Sequence, residues 1–579
     1  MNSIGIEEIF IICFVIQFAI VFLVTLAEKL SVAYPIVLVL GGLILGFVPG
    51  MPRVAVQPSL IFLIFLPPLL FEAAWNISLK ELWKWRRVIS FFAFGLVILT
   101  SSVIAIVSTA LIPGFSLALG FLLGGIISPP DAVSASSVLK TVNAPKRVLA
   151  ITEGESLLND ASSLIVYRFA LAAIVSGSAF HLHTAAWNFL WVIFMGVATG
   201  LIVGLVFYAI LRWLPTTAST DTALILAAPH MMYLLAESMH FSGVLAVVTG
   251  GLFLSHQSHR VLSHISRIRG INVWSTISFI LNGIVFMLIG LEMPLIVSQL
   301  GSTSLPEAIS YALIITAVLM VSRVLFMLVT SAFTTFISHY ITTADSHPGW
   351  KGPLVAGWAG MRGVVSLASA LAIPLYLANG QIFPQRNLIL FVTFVVILLT
   401  LVIQGLTLPY LIRFLDLKES EYDDYPLPVM QQETVLRTKT AKAALQLLRT
   451  TYFEHLGRNE LLKASESRYQ NELKFIGRLQ KEAGPGQGAS VEAVVVFKEV
   501  MIAVIDRQRN VLRELNRKAE FDEDLVKRQL EQLDLEEEKL RLQFDLTQNQ
   551  KNRAGLFKNK TSSNCAPQPA TLHCISKSN

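Results

Sequence analysis

Apolar runs long enough to cross a bilayer recur from the N-terminus to about residue 415, and that pattern excludes most soluble architectures. In hydrocarbon every backbone N–H and C=O must be satisfied internally, so runs of this length become helices. They fall near 7–27, 32–49, 58–76, 88–112, 115–139, 155–177, 185–211, 220–238, 242–255, 272–298, 306–338, 353–377 and 388–414, about thirteen in all. Across 579 residues, 54% are hydrophobic and 15% charged, and the mean hydropathy is +0.62. A soluble chain of this size seldom has that balance. The expected fold class is an all-α polytopic membrane protein embedded in a lipid bilayer.

The charges between the runs test the count. With the N-terminus outside, the predicted cytoplasmic loops carry Lys29, Lys80, Lys84, Arg86, Arg87, Lys140, Lys146, Arg147, Arg212, Arg260, Arg267, Arg269 and Lys351. The predicted outside loops carry only Arg53 and Arg386. This positive-inside bias predicts an odd number of spans and a cytoplasmic C-terminus. Glu7 and Glu8 precede the first run where a signal peptide would be basic, so it reads as a span. Cys13, Cys565 and Cys574 form neither a disulfide framework nor a zinc pattern. The net charge of +6 reflects cytoplasmic Lys and Arg, and predicts no nucleic-acid partner.

Near residue 415 the composition turns polar. Residues 1–415 are expected to form the membrane domain, 416–550 a cytoplasmic helical regulatory region, and 551–579 a disordered tail. Helical periodicity marks Ala441–Leu448 and Ala493–Leu515, and 520–545 has the composition of a solvated helix or short coiled coil. Gly484–Gly488 reads as a linker. No nucleotide or phosphate fingerprint stands out, and no cofactor is expected.

Two spans are interrupted, at Ser128-Pro129-Pro130-Asp131 and at Gly357–Gly363. They are the fifth and twelfth in order. An odd offset gives them opposite orientation, as inverted repeats require, and paired interrupted helices point to a secondary-transporter site. Next to them in this reading stands Gly154-Glu155-Ser156-Leu157-Leu158-Asn159-Asp160, at the start of an apolar run. Ionisable groups at such depth are costly and mark ion or proton pathways. Ser156 and Asp160 share one helix face; Glu155 and Asn159 share another. A carboxylate withdrawn from water needs a neutralising partner, either a hard cation held by oxygen ligands or a proton. Glu155 is expected to pair with Arg323 instead, because a buried guanidinium needs a counter-ion. Asp131 either caps the restarting half-helix or handles ions, Glu72 is either interfacial or a ligand, and Arg362 is expected to neutralise half-helix ends. His181, His183, His230 and His240 are too dispersed for a metal site.

These segments, with Leu66–Ala73, Ser322-Arg323, Gly243–Val248, Asn282–Leu291 and Gly357–Ser366, resemble the Na⁺/H⁺ exchangers of the monovalent cation:proton antiporter-1 family, including its NhaP-type bacterial members. The resemblance covers about residues 5–415. It implies a thirteen-span homodimer with two crossed, partly unwound helices, in the plasma membrane (a bacterial inner membrane). It implies Na⁺ held by Asp160, Ser156 and Glu72, within an ion- and proton-binding set that also includes Asn159, Ser128 and Asp131, with Glu155–Arg323 as a structural pair. One departure is that Asp131 follows a second proline, where the family often has Thr-Asp-Pro. Asn159, where related exchangers carry a second acid, implies electroneutral exchange. The expected function is Na⁺/H⁺ antiport by alternating access at one aspartate, without enzymatic activity. K⁺/H⁺ or mixed K⁺/Na⁺ antiport is the alternative, with Li⁺ a further possible substrate. A channel and an intramembrane aspartyl protease using Asp131 and Asp160 are more remote.

Overall fold

The computed structural model describes residues 6–30, 32–48, 58–142, 144–176, 182–300, 303–337, 349–377, 380–417, 429–482, 489–516 and 525–541. The chain divides into two compact units, Met1–Asp424 and Tyr425–Asn579. The first begins with α1 (Ile6–Leu30), α2 (Tyr34–Gly46), α3 (Pro58–Asn76) and α4 (Leu79–Ser90). A π-helical turn over Phe91–Leu96 joins α4 to α5 (Val97–Leu111). Then come α6 (Leu117–Ile127), α7 (Ala132–Thr141), α8 (Lys146–Ser176), α9 (Leu182–Trp213), α10 (Ala218–Ser238), α11 (Gly243–Val261), α12 (His264–Ser298) and α13 (Leu305–Ile337). The unit closes with α14 (Lys351–Trp358), α15 (Val364–Leu371), α16 (Arg386–Leu399), a second π turn over Thr400–Gln404, and α17 (Gly405–Leu415).

Each apolar run predicted from sequence coincides with a helix or a broken helix. Among the described residues, six helices are long and apolar enough to cross a membrane by themselves: Leu79–Leu111, Lys146–Ser176, Trp187–Trp213, His264–Ser298, Leu305–Phe336 and Arg386–Leu415. Several helices start where sequence chemistry directs. Ser78, Ser116, Thr217, Ser242 and Ser263 each accept a hydrogen bond from the backbone N–H three residues on, satisfying an amide that the first turn leaves open. One boundary moves. Hydropathy begins the sixth run at Glu155, but α8 begins at Lys146. Asp160 therefore lies well inside a 31-residue helix and not at its start. Lys146, Arg147 and Glu153 had masked its first turns, because hydropathy registers transfer cost and not backbone conformation.

Lipid is as apolar as leucine, so membrane helices associate through close packing and small residues. The contact of α2 with α12 shows this. A Cβ on Gly42 would lie 3.1 Å from the Met287 carbonyl carbon and 3.2 Å from Gly290 Cα. One on Gly290 would lie 2.7 Å from the Gly42 carbonyl carbon. The two helices meet backbone to backbone. We expect Gly42→Leu to pry them apart at a cost of about 1–3 kcal/mol, read as a lower thermal unfolding midpoint of the detergent-solubilised protein.

The second unit contains α18 (Val429–Thr450), α19 (Phe453–Arg458), α20 (Glu460–Glu482), α21 (Ala489–Leu515) and a helix over 525–541. Arg449 Nε lies 2.7 Å from Glu466 Oε1, tying α18 to α20. Arg509 donates to Asp534 Oδ1 at 2.6 Å and also bonds Glu537, clamping α21 to the last helix. The Arg509 bond, with a second from Arg541, holds the Glu537 carboxyl below its usual range. The predicted linker at Gly484–Gly488 and the tail at 551–579 lie outside the described residues.

Candidate functional site

The site is built where two helices lose their hydrogen-bonding ladders. Pro129 and Pro130 have no N–H to donate, which weakens the ladder between α6 and α7, and there the helix is broken, whereas α3 runs through Pro67 and Pro68. Asp131 restarts it: its carboxylate accepts from Ser134 N at 2.9 Å and from the Ser134 hydroxyl. The second gap, between Trp358 and Val364, holds Gly360 and Gly363.

The two gaps touch. The Asp131 N–H donates to the Met361 carbonyl at 2.7 Å. Arg362 is fully buried, and its Nε donates to Ile127 O at 2.8 Å, at the C-terminal end of α6. Its Nη2 donates to Ser128 O at 3.2 Å and its Nη1 to Gly360 O. A cation at these carbonyl ends offsets the negative pole of the half-helix. The Arg362 backbone N–H donates to Thr400 Oγ1 at 3.2 Å. Gly363 permits the closest approach, since a Cβ there would sit 2.7 Å from Asp131 Cγ.

α8 runs beside this crossing and packs against both α6 and α7. Ser156 Oγ donates to Pro130 O at 2.8 Å, tying α8 to the first break. Its oxygen keeps lone pairs for another partner. Asp160 is 7% exposed, and no hydrogen bond to its carboxylate is formed by the described residues. Asp131 is the charged neighbour that acts on it. Asn159, fully buried, has both amide atoms unpartnered among the described residues. One residue from the α8 set is differently engaged. Glu155 and Arg323 are each 1% exposed and form an ion pair, with Nη1 2.8 Å from Oε1 and Nη2 3.0 Å from Oε2. Only the Oε2 contact is aligned as a hydrogen bond.

Ser128 belongs to the first break, and Glu72 lies on α3. The Ser128 hydroxyl donates to Gly124 O at 2.6 Å and lies within hydrogen-bonding distance of Thr100 and Ser101, at 3.0 and 2.8 Å. Glu72, half-buried on α3, accepts from Asn76 Nδ2 at 2.5 Å. Its charged neighbours are Lys140 and Glu153, themselves paired at 3.1 Å. Arg168 bonds both carboxylate oxygens of Glu237, at 2.5 and 2.6 Å. Sequence reading missed Thr400 and Glu237. Thr400 had a signal, a hydroxyl one turn before Gln404 in an otherwise apolar run; Glu237 sits near a helix end, where acids are common and draw no attention.

The chain is similar to known proteins over most of its length. The family profile described as sodium/hydrogen exchanger, transmembrane, matches residues 18–414. An uncharacterized Na⁺/H⁺ exchanger of Mycobacterium tuberculosis is 30% identical over 519 residues, covering 89% of this chain and 93% of its own. A low-affinity Na⁺/H⁺ antiporter of Synechocystis is 31% identical over 475 residues, covering 79% of this chain and 84% of its own. The solved structure of a sodium proton antiporter from Methanocaldococcus jannaschii shares the fold, with a TM-score of 0.56 at 18% identity over 70% of this chain and 99% of that one.

Proposed function

The chain belongs to the sodium/hydrogen exchanger family, a family of membrane transporters, and from that premise we propose that it exchanges Na⁺ for protons at Asp160 by alternating access. The observation that carries this reading is the state of that carboxylate: deep in a helix, nearly inaccessible, and without a hydrogen-bond donor. A buried anion so placed requires a neutralising partner. A cation or a proton can each serve, and their competition for one group couples the two fluxes. Ser156, one turn before Asp160 on the same helix face, and the adjacent Asn159 supply further oxygen atoms, and Glu72 recruits the cation from α3. One acid in the Asn159-Asp160 pair supports electroneutral stoichiometry. Thirteen crossings, a cytoplasmic C-terminus, a plasma-membrane location and a homodimer complete the proposal; the positive-inside bias supports the orientation.

The test is dequenching of a pH dye in acid-loaded everted vesicles, with Na⁺, Li⁺, K⁺ and Rb⁺ added separately. Na⁺ is expected to drive proton release, with K⁺ much weaker. The rate should trace a bell against pH, since acid protonates the shared carboxylate and alkali starves it of protons. A relative from Bacillus subtilis, 36% identical over 389 residues, is named a sodium, potassium, lithium and rubidium/H⁺ antiporter. Equal responses to Na⁺ and K⁺ would therefore move this chain to the mixed-cation reading. No response to any cation would end the proposal.

A further inference from the structure

Leu157, Ala161, Leu164 and Arg168 recur at helical spacing and lie on one face of α8. The first three are buried and join one apolar core with residues of α3, α10 and α11. The stripe then ends in a cation. Arg168 Nη2 lies 2.5 and 2.6 Å from the two carboxylate oxygens of Glu237, in the last turn of α10. Its Nη1 donates to the Phe241 carbonyl at 3.4 Å. The turn from α10 into α11 holds the acceptors in place. The Gly243 N–H donates to Glu237 Oε1 at 3.2 Å, and His240, at φ 61°, bends the chain between them. A Cβ on Gly243 would lie 2.9 Å from that oxygen.

The two ends of this contact belong to different helix neighbourhoods. α8 packs mainly against α4, α6 and α7, whereas α10 packs mainly against α9, α11 and α12. The apolar part of the α8 stripe is non-directional and holds no single register strongly. An Arg–carboxylate contact fixes one register, because its geometry is specific. Exposure decides whether such a contact can also let go. The Arg168 and Glu237 side chains are 41% and 27% exposed, against 1% for each member of the Glu155–Arg323 pair. The deep pair cannot part without stranding a buried charge, while the shallow one can. Arg168 also stands two turns, roughly 12 Å, beyond Asp160 along α8. Lys146 and Arg147 begin that helix on the proposed cytoplasmic side, so Arg168 lies between Asp160 and the outside.

We propose that Arg168 and Glu237 form an outer latch: paired, they fix α8 against the α10–α11 turn with Asp160 closed to the outside, and they part when Asp160 turns outward. The latch rests on alternating access at Asp160 and names a contact that this cycle must break. The test uses the full-length protein carrying Cys13→Ser, Cys565→Ser and Cys574→Ser together with Arg168→Cys and Glu237→Cys. A short bifunctional methanethiosulfonate joins the two thiols, and dithiothreitol releases them. In everted vesicles the joined protein should exchange no faster than vesicles lacking the protein, and reduction should restore exchange. Loss of the charges alone should alter the rate by no more than about two- to fivefold, the worth of a partly exposed pair. Joined protein exchanging as fast as reduced protein overturns the latch and leaves the role of Asp160 intact. Absence of exchange in wild type ends the antiport reading, and the latch with it. If the reduced double-cysteine protein is itself inactive, a charge swap decides. Arg168→Glu sets two carboxylates against each other and should slow exchange; adding Glu237→Arg should recover it. No slowing in the folded single variant, or no recovery in the folded swap, also overturns the latch.

Discussion

Asp160→Asn is expected to reduce cation-driven proton movement in everted vesicles to the level of vesicles lacking the protein. The substitution keeps the size of the side chain and removes both things the proposed mechanism needs, a negative charge for the cation and an exchangeable proton. It should not harm folding. The carboxylate accepts no hydrogen bond from the described residues, so an amide there breaks no donor's bond. A neutral amide is also cheaper to keep from water than an anion. The purified variant should unfold at a midpoint equal to or above wild type. Loss of exchange together with loss of folded protein would point to a structural role instead. Exchange at the wild-type rate would remove Asp160 from the mechanism.

Glu155→Gln should show the opposite pattern, a large loss of stability. Glu155 faces Arg323 at 2.8 Å with both groups 1% exposed, and it is also an electrostatic neighbour of Arg362. Removing it leaves two guanidinium groups in the same buried region with no carboxylate between them. Arg362 keeps its bonds to the carbonyls of Ile127, Ser128 and Gly360, but Arg323 loses its counter-charge. Breaking one partner of a buried pair costs about 3–5 kcal/mol. Replacing both, as Glu155→Gln with Arg323→Gln, removes the stranded charge, and most of the stability should return. Thermal unfolding of the two single variants and the double variant gives the coupling directly. A double variant no more stable than Glu155→Gln alone would mean that the pair does not hold the fold. The Na⁺ concentration giving half-maximal exchange should stay near wild type in the double variant, because Glu155 is proposed to hold Arg323 and not the ion.

Much of the architecture was legible in the chain for a local reason. The requirement to satisfy the backbone within hydrocarbon acts on each run by itself, so runs of apolar residues located the helices without knowledge of their neighbours. The breaks were legible too: proline at Pro129-Pro130 and glycine at Gly360 and Gly363 impose their effects within a turn. The start of α8 was not, because charged residues at Lys146, Arg147 and Glu153 are compatible with a helix that leaves the membrane or lines a protein-filled interior. Hydropathy cannot separate those cases.

By itself the sequence determined the all-helical membrane architecture and the presence of carboxylates at depth, and it marked the two breaks, although Pro67-Pro68 stays helical in α3. Only the tertiary structure decided which polar group meets which. Glu155 reaches Arg323 across 168 residues, and Arg362 reaches Ile127 across 235. Asp131 bonds the second break through its backbone while its side chain caps α7. Helix periodicity places a residue on a face and says nothing about the helix opposite. Partner choice at low dielectric is set by distances of about 3 Å between segments far apart in the chain. For the same reason Asp160, with no such partner, is distinguished from Glu155 by what surrounds each of them.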